Sequence, residues 1–541
     1  MNIFHRKYQD WIKDIPLRLY FLALIATFGG STVGIDIALV NGAQLFFVKH
    51  YQLGATLHGL TTAATLLGAL IGSSFSTFIN SFVGRKGALG VASFVAVGAG
   101  IMEALVNIWG LLLTARIILG VSFGIFSSTV PIYLSECAPA RVRGMLTGTY
   151  QLSVTLGLFF GAVSDAIFVN VSNGWRFMLG TVIIPPLLCI TGLLFTPESP
   201  RWLIHKRRYP QALASLRKLR TTEAEAIQDM NSIKENITRT ARERSGHGII
   251  SKIITIPHIR HALVIGIFLQ LSRQLSGVNA MLYYFDVVLR SAGMSVSHAV
   301  YVNVAYGAGT VIFTLPMFWI VDRFGRRVLL VYTMPIIACM SLLVGLAFLG
   351  SSQIRMALSI VGFLLFRLFY SPSLGPISWV ITAEIFPLEV RSECLSICTF
   401  FSYAFNFVVS FSFPDMMDQM KTEGAFAFFA GCTIIDWIIF FLFVPETKGL
   451  DMEVMDQLFR QSWSSQASQN LKQLDNLFPW FRSSSEATGN TIEAENRNQT
   501  ITDSIDQSAH KDSSEWNRKV SNKSNEPSSL IINPALPDNL S

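Results

Sequence analysis

Charge is scarce in this chain: Asp, Glu, Lys and Arg together make 14% of its 541 residues, against about a quarter in ordinary soluble domains. A soluble globular protein of this length is thereby excluded. Cysteine is rare too. The six, Cys137, Cys189, Cys339, Cys394, Cys398 and Cys432, lie in or beside apolar runs and have neither metal-ligand spacing nor the pattern of a secreted disulfide scaffold. Also missing are a phosphate-cradling glycine loop, a metal cluster and a nucleophile with its base, so the chain does not read as an enzyme and calls for no cofactor or metal. No aromatic-interleaved basic surface accompanies the net charge of +7, which therefore does not point to nucleic acid. The first apolar run is too long for a cleavable leader and lacks a small-residue cleavage site, so it is expected to remain as a membrane span.

Apolar sequence is what the chain has in excess: 51% of residues, with a mean hydropathy of +0.45. Runs of about 20 residues or more, enough to cross a bilayer, fall at 18–44, 57–79, 87–106, 109–134, 145–168 and 176–196, then at 259–290, 297–321, 328–350, 355–383, 392–414 and 424–444. The expected fold is an all-α membrane protein with twelve transmembrane helices in two pseudo-symmetric six-helix halves. Lys and Arg concentrate in one set of alternate loops, at Arg85, Lys86, Arg141, Arg143, Arg323, Arg326, Arg327 and Arg391, and in the amino terminus. That face is expected to be cytoplasmic, with both termini on it.

The halves repeat. Glu136 with Arg143 is echoed 248 residues later by Glu384 with Arg391, Pro197-Glu198 at the same interval by Pro445-Glu446, and Gly84-Arg85-Lys86 241 residues later by Gly325-Arg326-Arg327. Transporters are commonly built from two such repeats with a site between them. The resulting division is 1–17 as an amino-terminal segment, 18–200 and 258–446 as the halves, 201–257 as a charged, helix-prone linker, and 447–541 as a mostly disordered tail. Segments rich in Ser, Asn, Asp, Glu, Lys and Gln bury too little apolar surface to fold alone. Asn170-Val-Ser172 is an acceptor for glycosylation on the outer side, whereas Asn498 and Asn522 lie in the tail.

Over about residues 20–455 the chain resembles the sugar porter family of the major facilitator superfamily. The segments that carry the resemblance are Gly34-Ile-Asp36 with Gly42, Arg116 with Gly120 and Gly124, Pro131-Ile-Tyr133-Leu-Ser-Glu136, Gln151-Leu152 and Pro197-Glu-Ser-Pro-Arg-Trp202 in the first half. In the second they are Gln274-Leu-Ser-Gly-Val-Asn279 with Tyr283-Tyr284, Asp322-Arg-Phe-Gly-Arg-Arg327, Gly375-Pro376 with Trp379 and Glu384, and Pro445-Glu-Thr-Lys-Gly449. The resemblance implies alternating access and a cytoplasmic gate of ion pairs formed by Arg85, Glu136, Arg143 and Glu198 in one half and Arg326, Glu384, Arg391 and Glu446 in the other. It implies proton coupling through Asp36 and Arg116, because proton-coupled sugar carriers have Asp where facilitators often have Asn. An ionised carboxylate within a span is costly and usually functional. A static ion pair and a vestibule carboxylate remain open alternatives.

A polyol needs many neutral hydrogen bonds and an aromatic face. Gln151, Gln270, Gln274, Asn279, Tyr370, Trp379 and Asn406 are the candidates. Three positions depart from the family pattern: Arg273 stands where Gln is common, and Thr310 and Ser402 where Asn is common. A buried guanidinium needs an anion, which could be Asp36, Asp165, Asp436 or a substrate carboxylate, unless its stem turns away from the site. A fourth departure, Ser81-Phe82-Val83-Gly84, lacks the acid and Arg that Asp322-Arg323 keeps, and implies a weaker first-half gate. The expected function is carriage of a sugar or polyol with a proton across the plasma membrane. A carrier of a sugar acid or quinate-like molecule and a non-transporting sugar sensor are the alternatives.

Overall fold

A computed structural model describes residues 16–139, 142–243, 253, 255–387, 390–448, 458–459 and 463–472. In the first half these form α1 (Leu17–His50), α2 (Ala55–Leu105), α3 (Trp109–Cys137), α4 (Arg143–Phe168), α5 (Gly174–Gly180) and α6 (Ile184–Leu193). A linker follows with α7 (Pro200–His205), α8 (Tyr209–Leu219) and α9 (Glu223–Glu243). The second half holds α10 (Pro257–Leu275), α11 (Val278–Tyr283), α12 (Phe285–Ser291), α13 (Val296–Thr314), α14 (Met317–Phe324), α15 (Arg326–Ala347), α16 (Ser352–Tyr370), α17 (Leu374–Glu384) and α18 (Arg391–Phe443). The last described helix is α19 (Trp463–Lys472).

Among the described residues nine helical stretches are long and apolar enough to cross a membrane. Two are too long for one pass. At 1.5 Å per residue the 51 residues of α2 run about 75 Å, more than twice a hydrocarbon core of about 30 Å. The chain reverses within α2 at Gly84 (φ 83°, ψ 178°) and within α18 at Lys421 (φ 59°, ψ 174°). The run expected at 259–290 is in contrast divided among α10, α11 and α12, with Gly277 in the left-handed region between the first two, and none of the three is among those nine stretches. The run at 355–383 is interrupted after Tyr370, where Ser371–Ser373 separate α16 from α17. Broken helices of this kind are tolerated in a membrane where they line a cavity or are covered by protein.

Small residues set how closely the first helices approach. A Cβ at Gly120 of α3 would press on the backbone of Thr65 in α2, and one at Gly124 on Ala69 and Ser73. With so little side chain at the crossing, dispersion contacts between backbones replace a hydrophobic driving force that lipid cannot supply.

The linker folds as helices packed beneath the first half. Trp202, Leu203, Ile204 and Ala212 form a buried core that Tyr209, Met230, Ile233 and Ile237 cover. Arg220, itself buried, donates to the carbonyl of Cys137 at 2.9 Å and pairs with Asp229 at 2.6 Å. It thereby satisfies a carbonyl at the end of α3 that has no partner within its own helix. Of the tail, expected to be disordered from about 460, α19 is helical, and Asn470 donates to Leu442 at 2.8 Å. The remainder of that segment, with Asn498 and Asn522, and residues 1–15 lie outside the described residues.

Candidate functional site

The repeated motifs meet at the ends of the helices, and each half builds the same device. In the first half Gly84 ends one pass of α2, and the next pass starts with the backbone N–H groups of Arg85 and Lys86 pointing at Glu198, at 3.0 and 3.1 Å. Glu198 also accepts from the Ser199 N–H at 2.8 Å. A carboxylate on the free N–H groups of a helix start satisfies orphan donors and meets the positive end of the helix dipole. Burial nevertheless holds the Glu198 carboxyl above the usual carboxylate range, against those three N–H bonds. The Arg85 side chain turns to Glu136, with both nitrogens at 2.8 Å, and Ser199 donates to the same carboxylate at 2.5 Å.

The second half repeats this arrangement residue for residue. Arg326 and Arg327 donate through their backbones to Glu446 at 3.0 Å each, the Arg326 side chain reaches Glu384 at 3.0 Å, and Thr447 takes the place of Ser199 at 2.5 Å. Each glycine is required twice over: Gly84 and Gly325 have φ of 83° and 90°, and a Cβ on either would collide with the capping carboxylate.

Arg143 sits apart from the rest of the expected gate, whereas Arg391 stands within electrostatic reach of Glu384. Arg143 is exposed at the first turn of α4 and forms no ion pair among the described residues. Arg391 donates to the Phe386 carbonyl at 3.1 and 3.0 Å, closing its own loop. The ion pairs described here run within one half, Arg85 to Glu136 and Arg326 to Glu384, and not from one half to the other.

Deeper in the first half, Arg116 of α3 donates to Asp36 of α1 at 3.3 and 3.4 Å, and to the Thr61 carbonyl at 2.8 Å. Asp36 is 1% exposed and Arg116 is fully buried. A third ionisable group completes the cluster: Glu103, two residues before the end of the long α2, is fully buried and 3.8 Å from Arg116. Neither Glu103 oxygen has a hydrogen-bond partner. Sequence reasoning missed it, since an acid at the edge of an apolar run looks like a boundary residue.

The amides of the second half converge around the break in its first span. Gln274 donates to Ser402 at 3.2 Å and accepts closely from Asn279, while Gln270 points to Thr382 at 3.4 Å and keeps its oxygen without a partner. Arg273 donates to Ser402 at 2.8 Å, and its guanidinium lies 5.3 Å from the Trp379 ring centre. Tyr370 and Tyr403 stand within electrostatic reach of that cation. None of the expected anions reaches Arg273: among the described residues it has no carboxylate partner, and its Nε is unsatisfied. Asp36 is taken by Arg116, and Asp165 and Asp436 each keep unpartnered oxygens. Ser402, read from sequence as a lost amide, has become the shared acceptor of Arg273 and Gln274. Asn406 accepts from Ser410 on its own helix at 3.2 Å. Gln151 is half-buried on α4, and no described hydrogen bond joins it to this group. Thr310 bonds back to its own helix at Tyr306.

The halves touch at the face opposite the arginine-rich ends. Gln44 of α1 donates to the Tyr283 carbonyl at 2.5 Å, Asn170 bonds Tyr301 and Ser297 at 3.0 Å each, and Tyr403 donates to Ser127 at 2.7 Å nearer the middle. Ile37, Ala38, Leu158 and Ala162 of the first half pack with Leu282 and Val304 of the second.

The family model described as "Sugar (and other) transporter" matches residues 22–459. The chain is 30% identical to the arabinose-proton symporter of Escherichia coli strain K12 over 452 residues, covering 82% of this chain and 94% of that protein. It is 29% identical to a myo-inositol transporter of Gibberella moniliformis over 472 residues, 82% of this chain and 81% of that one. Among solved structures it matches the partially occluded, inward-open xylose transporter of E. coli with a TM-score of 0.69 and 25% identity, over 79% of this chain and all of that one. A match to this depth, over a chain whose two halves each end in the same glycine-arginine-glutamate device, leaves one classification: this protein is a member of the sugar porter family of the major facilitator superfamily.

Proposed function

We propose that this protein carries a sugar or polyol across the plasma membrane by alternating access in twelve passes, with a proton moving in the same direction and both termini on the cytoplasmic, arginine-rich face. The charge balance around Arg116 carries the coupling. Two buried carboxylates, Asp36 and Glu103, share one permanent cation, and a second uncompensated charge in a buried site costs several kcal/mol, roughly. Such a cluster favours taking up a proton. Asp36 is the acceptor and Arg116 the group released, whereupon Glu103 stands ready to hold the guanidinium. The names of relatives that are proton symporters support this.

The neutral substrate would bind among Gln270, Gln274, Asn279 and Gln151, with Trp379 and Tyr370 against its apolar face and Asn406 at the edge. The unpartnered Gln270 oxygen is an acceptor awaiting a hydroxyl. The six paired residues of the arginine-rich face, Arg85, Glu136, Glu198, Arg326, Glu384 and Glu446, would govern opening on that side by holding each half rigid, with Arg143 and Arg391 at its margin.

One observation favours a second substrate class. Arg273 faces this site without a carboxylate, so a sugar acid or quinate-like anion would complete its coordination. Uptake of labelled glucose, xylose, galactose, inositol, gluconate and quinate into cells lacking their own sugar carriers, with and without a proton uncoupler, tests both. Saturable neutral uptake that collapses with the uncoupler supports the symporter. Uptake of an acid alone, abolished by Arg273→Gln, supports the second class. Protein at the surface with no uptake of any member would count against transport and favour a sensor.

A further inference from the structure

A second pair of buried carboxyl groups lies where the two halves meet, and neither the coupling cluster nor the sugar site uses it. Asp165 belongs to α4 in the first half and Asp286 to α12 in the second, and both are fully buried. Asp165 has no side-chain hydrogen-bond partner, its one polar neighbour being the Gly42 backbone N–H, and the Oδ1 of Asp286 has none. The other Asp286 oxygen accepts from Asn303 of α13 at 3.3 Å. Between the two acids runs the Asn41-Gly42 step of α1. Asn41 accepts from the Asp286 N–H at 3.1 Å, and the Asp165 carboxylate rests so closely on Gly42 that no side chain would fit there.

The groups nearest the pair are neutral, and the buried cation of α16, Arg367, stands within electrostatic reach of Tyr306. From α1 come Asn41, Gly42 and Gln44, the last held by His58 of α2 at 2.8 Å; from α13 come Asn303 and Tyr306; and Thr181 reaches α4 only through Ser164. The charge acting on Asp165 is Asp286 itself. Arg116, the cation nearest along α1, is occupied by Asp36 six residues before Gly42. Two ionised carboxylates buried near each other without a cation repel each other and forgo solvation, and a bound proton removes one of the two charges.

We propose that Asp165 and Asp286 form a proton-binding site that is complete only when the halves close at the face opposite the arginines. Because one acid comes from each half, parting the halves admits water, ionises both groups and returns the proton to that same side. Closure there is thus favoured by acid, and this proton is separate from the one carried with substrate. The site rests on the alternating-access reading but on neither the substrate nor the symport.

Val304 and Leu282 lie in the apolar cluster buried by the same closure, so a cysteine at either reports opening. Full-length Val304→Cys, and separately Leu282→Cys, would be expressed in cells and labelled from outside with a membrane-impermeant maleimide, counted above the parent with its native cysteines. Labelling is expected to rise with external pH, by up to about tenfold per pH unit, the limit for one proton. With Asp165→Asn or Asp286→Asn added the response should weaken, since the remaining buried carboxyl must still be neutralised on closure, and with both added labelling should stay low and flat with pH. Reporter protein is normalised to the amount at the surface, and the two single Asn variants check each other for folding. Labelling in the parent that does not change with pH, or a pH response that survives both substitutions, overturns the site; so does labelling suppressed by sodium and indifferent to pH, which would mean a metal cation instead of a proton. No sugar is present, so a failure of the transport reading in the uptake assay leaves this result standing.

Discussion

The two charged ends of the molecule differ in a way opposite to what their sequences suggest. The first half has lost the acid and Arg that the second keeps as Asp322-Arg323, putting Ser81 and Phe82 there. Yet its Arg85–Glu136 pair has two nitrogens at 2.8 Å, and Glu136 is 8% exposed, whereas Arg326 reaches Glu384 at 3.0 Å and Glu384 is 31% exposed. Phe82 packs against Phe78, and the Lys206 ammonium lies 5.9 Å from its ring. Shielding counts for more than the number of charges, because water and salt weaken an exposed pair to about 0–1 kcal/mol.

The largest effect should come from the helix breaks. Both glycines have backbone angles that non-glycine residues occupy at a cost of about 1–3 kcal/mol, and a side chain there must also displace the capping carboxylate. Gly84→Val and Gly325→Val are each expected to cut the yield of folded protein severely, Gly84→Val more so, as monodispersity and melting temperature in detergent would show.

Next come the ion pairs. Arg85→Ala leaves a shielded carboxylate alone and is expected to cost about 3 kcal/mol; Arg326→Ala leaves a better-hydrated one and should cost about 1 kcal/mol. Double-mutant cycles on Arg85/Glu136 and Arg326/Glu384 read this directly, and an equal or reversed order would break the comparison. Arg326→Ala and Glu384→Ala should also leave the protein inserted but shifted toward opening at the arginine-rich face; labelling from outside that matched the parent would contradict it.

A smaller difference is expected between Arg143→Ala and Arg391→Ala. The first removes an exposed side chain and should stay within about 0.5 kcal/mol, while the second removes two bonds to the Phe386 carbonyl and should cost about 1 kcal/mol in the same melting assay. Smallest of all, Phe82→Arg should change stability by no more than about 0.5 kcal/mol, its position being largely exposed.

What could be read without the structure was whatever depends on length, composition or repetition. Apolar runs gave the passes, and the repeat of Gly84, Arg85, Glu136 and Glu198 in the second half picked out the residues that meet. What could not be read depended on the tilt of one helix against another. Glu103 enters the Arg116 cluster from the pass of α2 beyond the Gly84 break, and Asp286 reaches Asn41 of α1 from the last segment of a span that is broken at 257–291. Arg143, which the family resemblance put in the gate, is exposed at the start of α4 with no ion pair among the described residues.

The Arg220 contact beneath the first half makes α3 a lever. Its end is clamped by the linker through the Cys137 carbonyl, and Arg116 rides on the same rod 21 residues away, about 30 Å along the axis. A tug on the linker, whether from a partner or a covalent change at its surface, would be felt as a shift of Arg116 against Asp36. The buried Arg116–Asp36 pair is thereby tied, through one helix, to a segment packed outside the apolar spans.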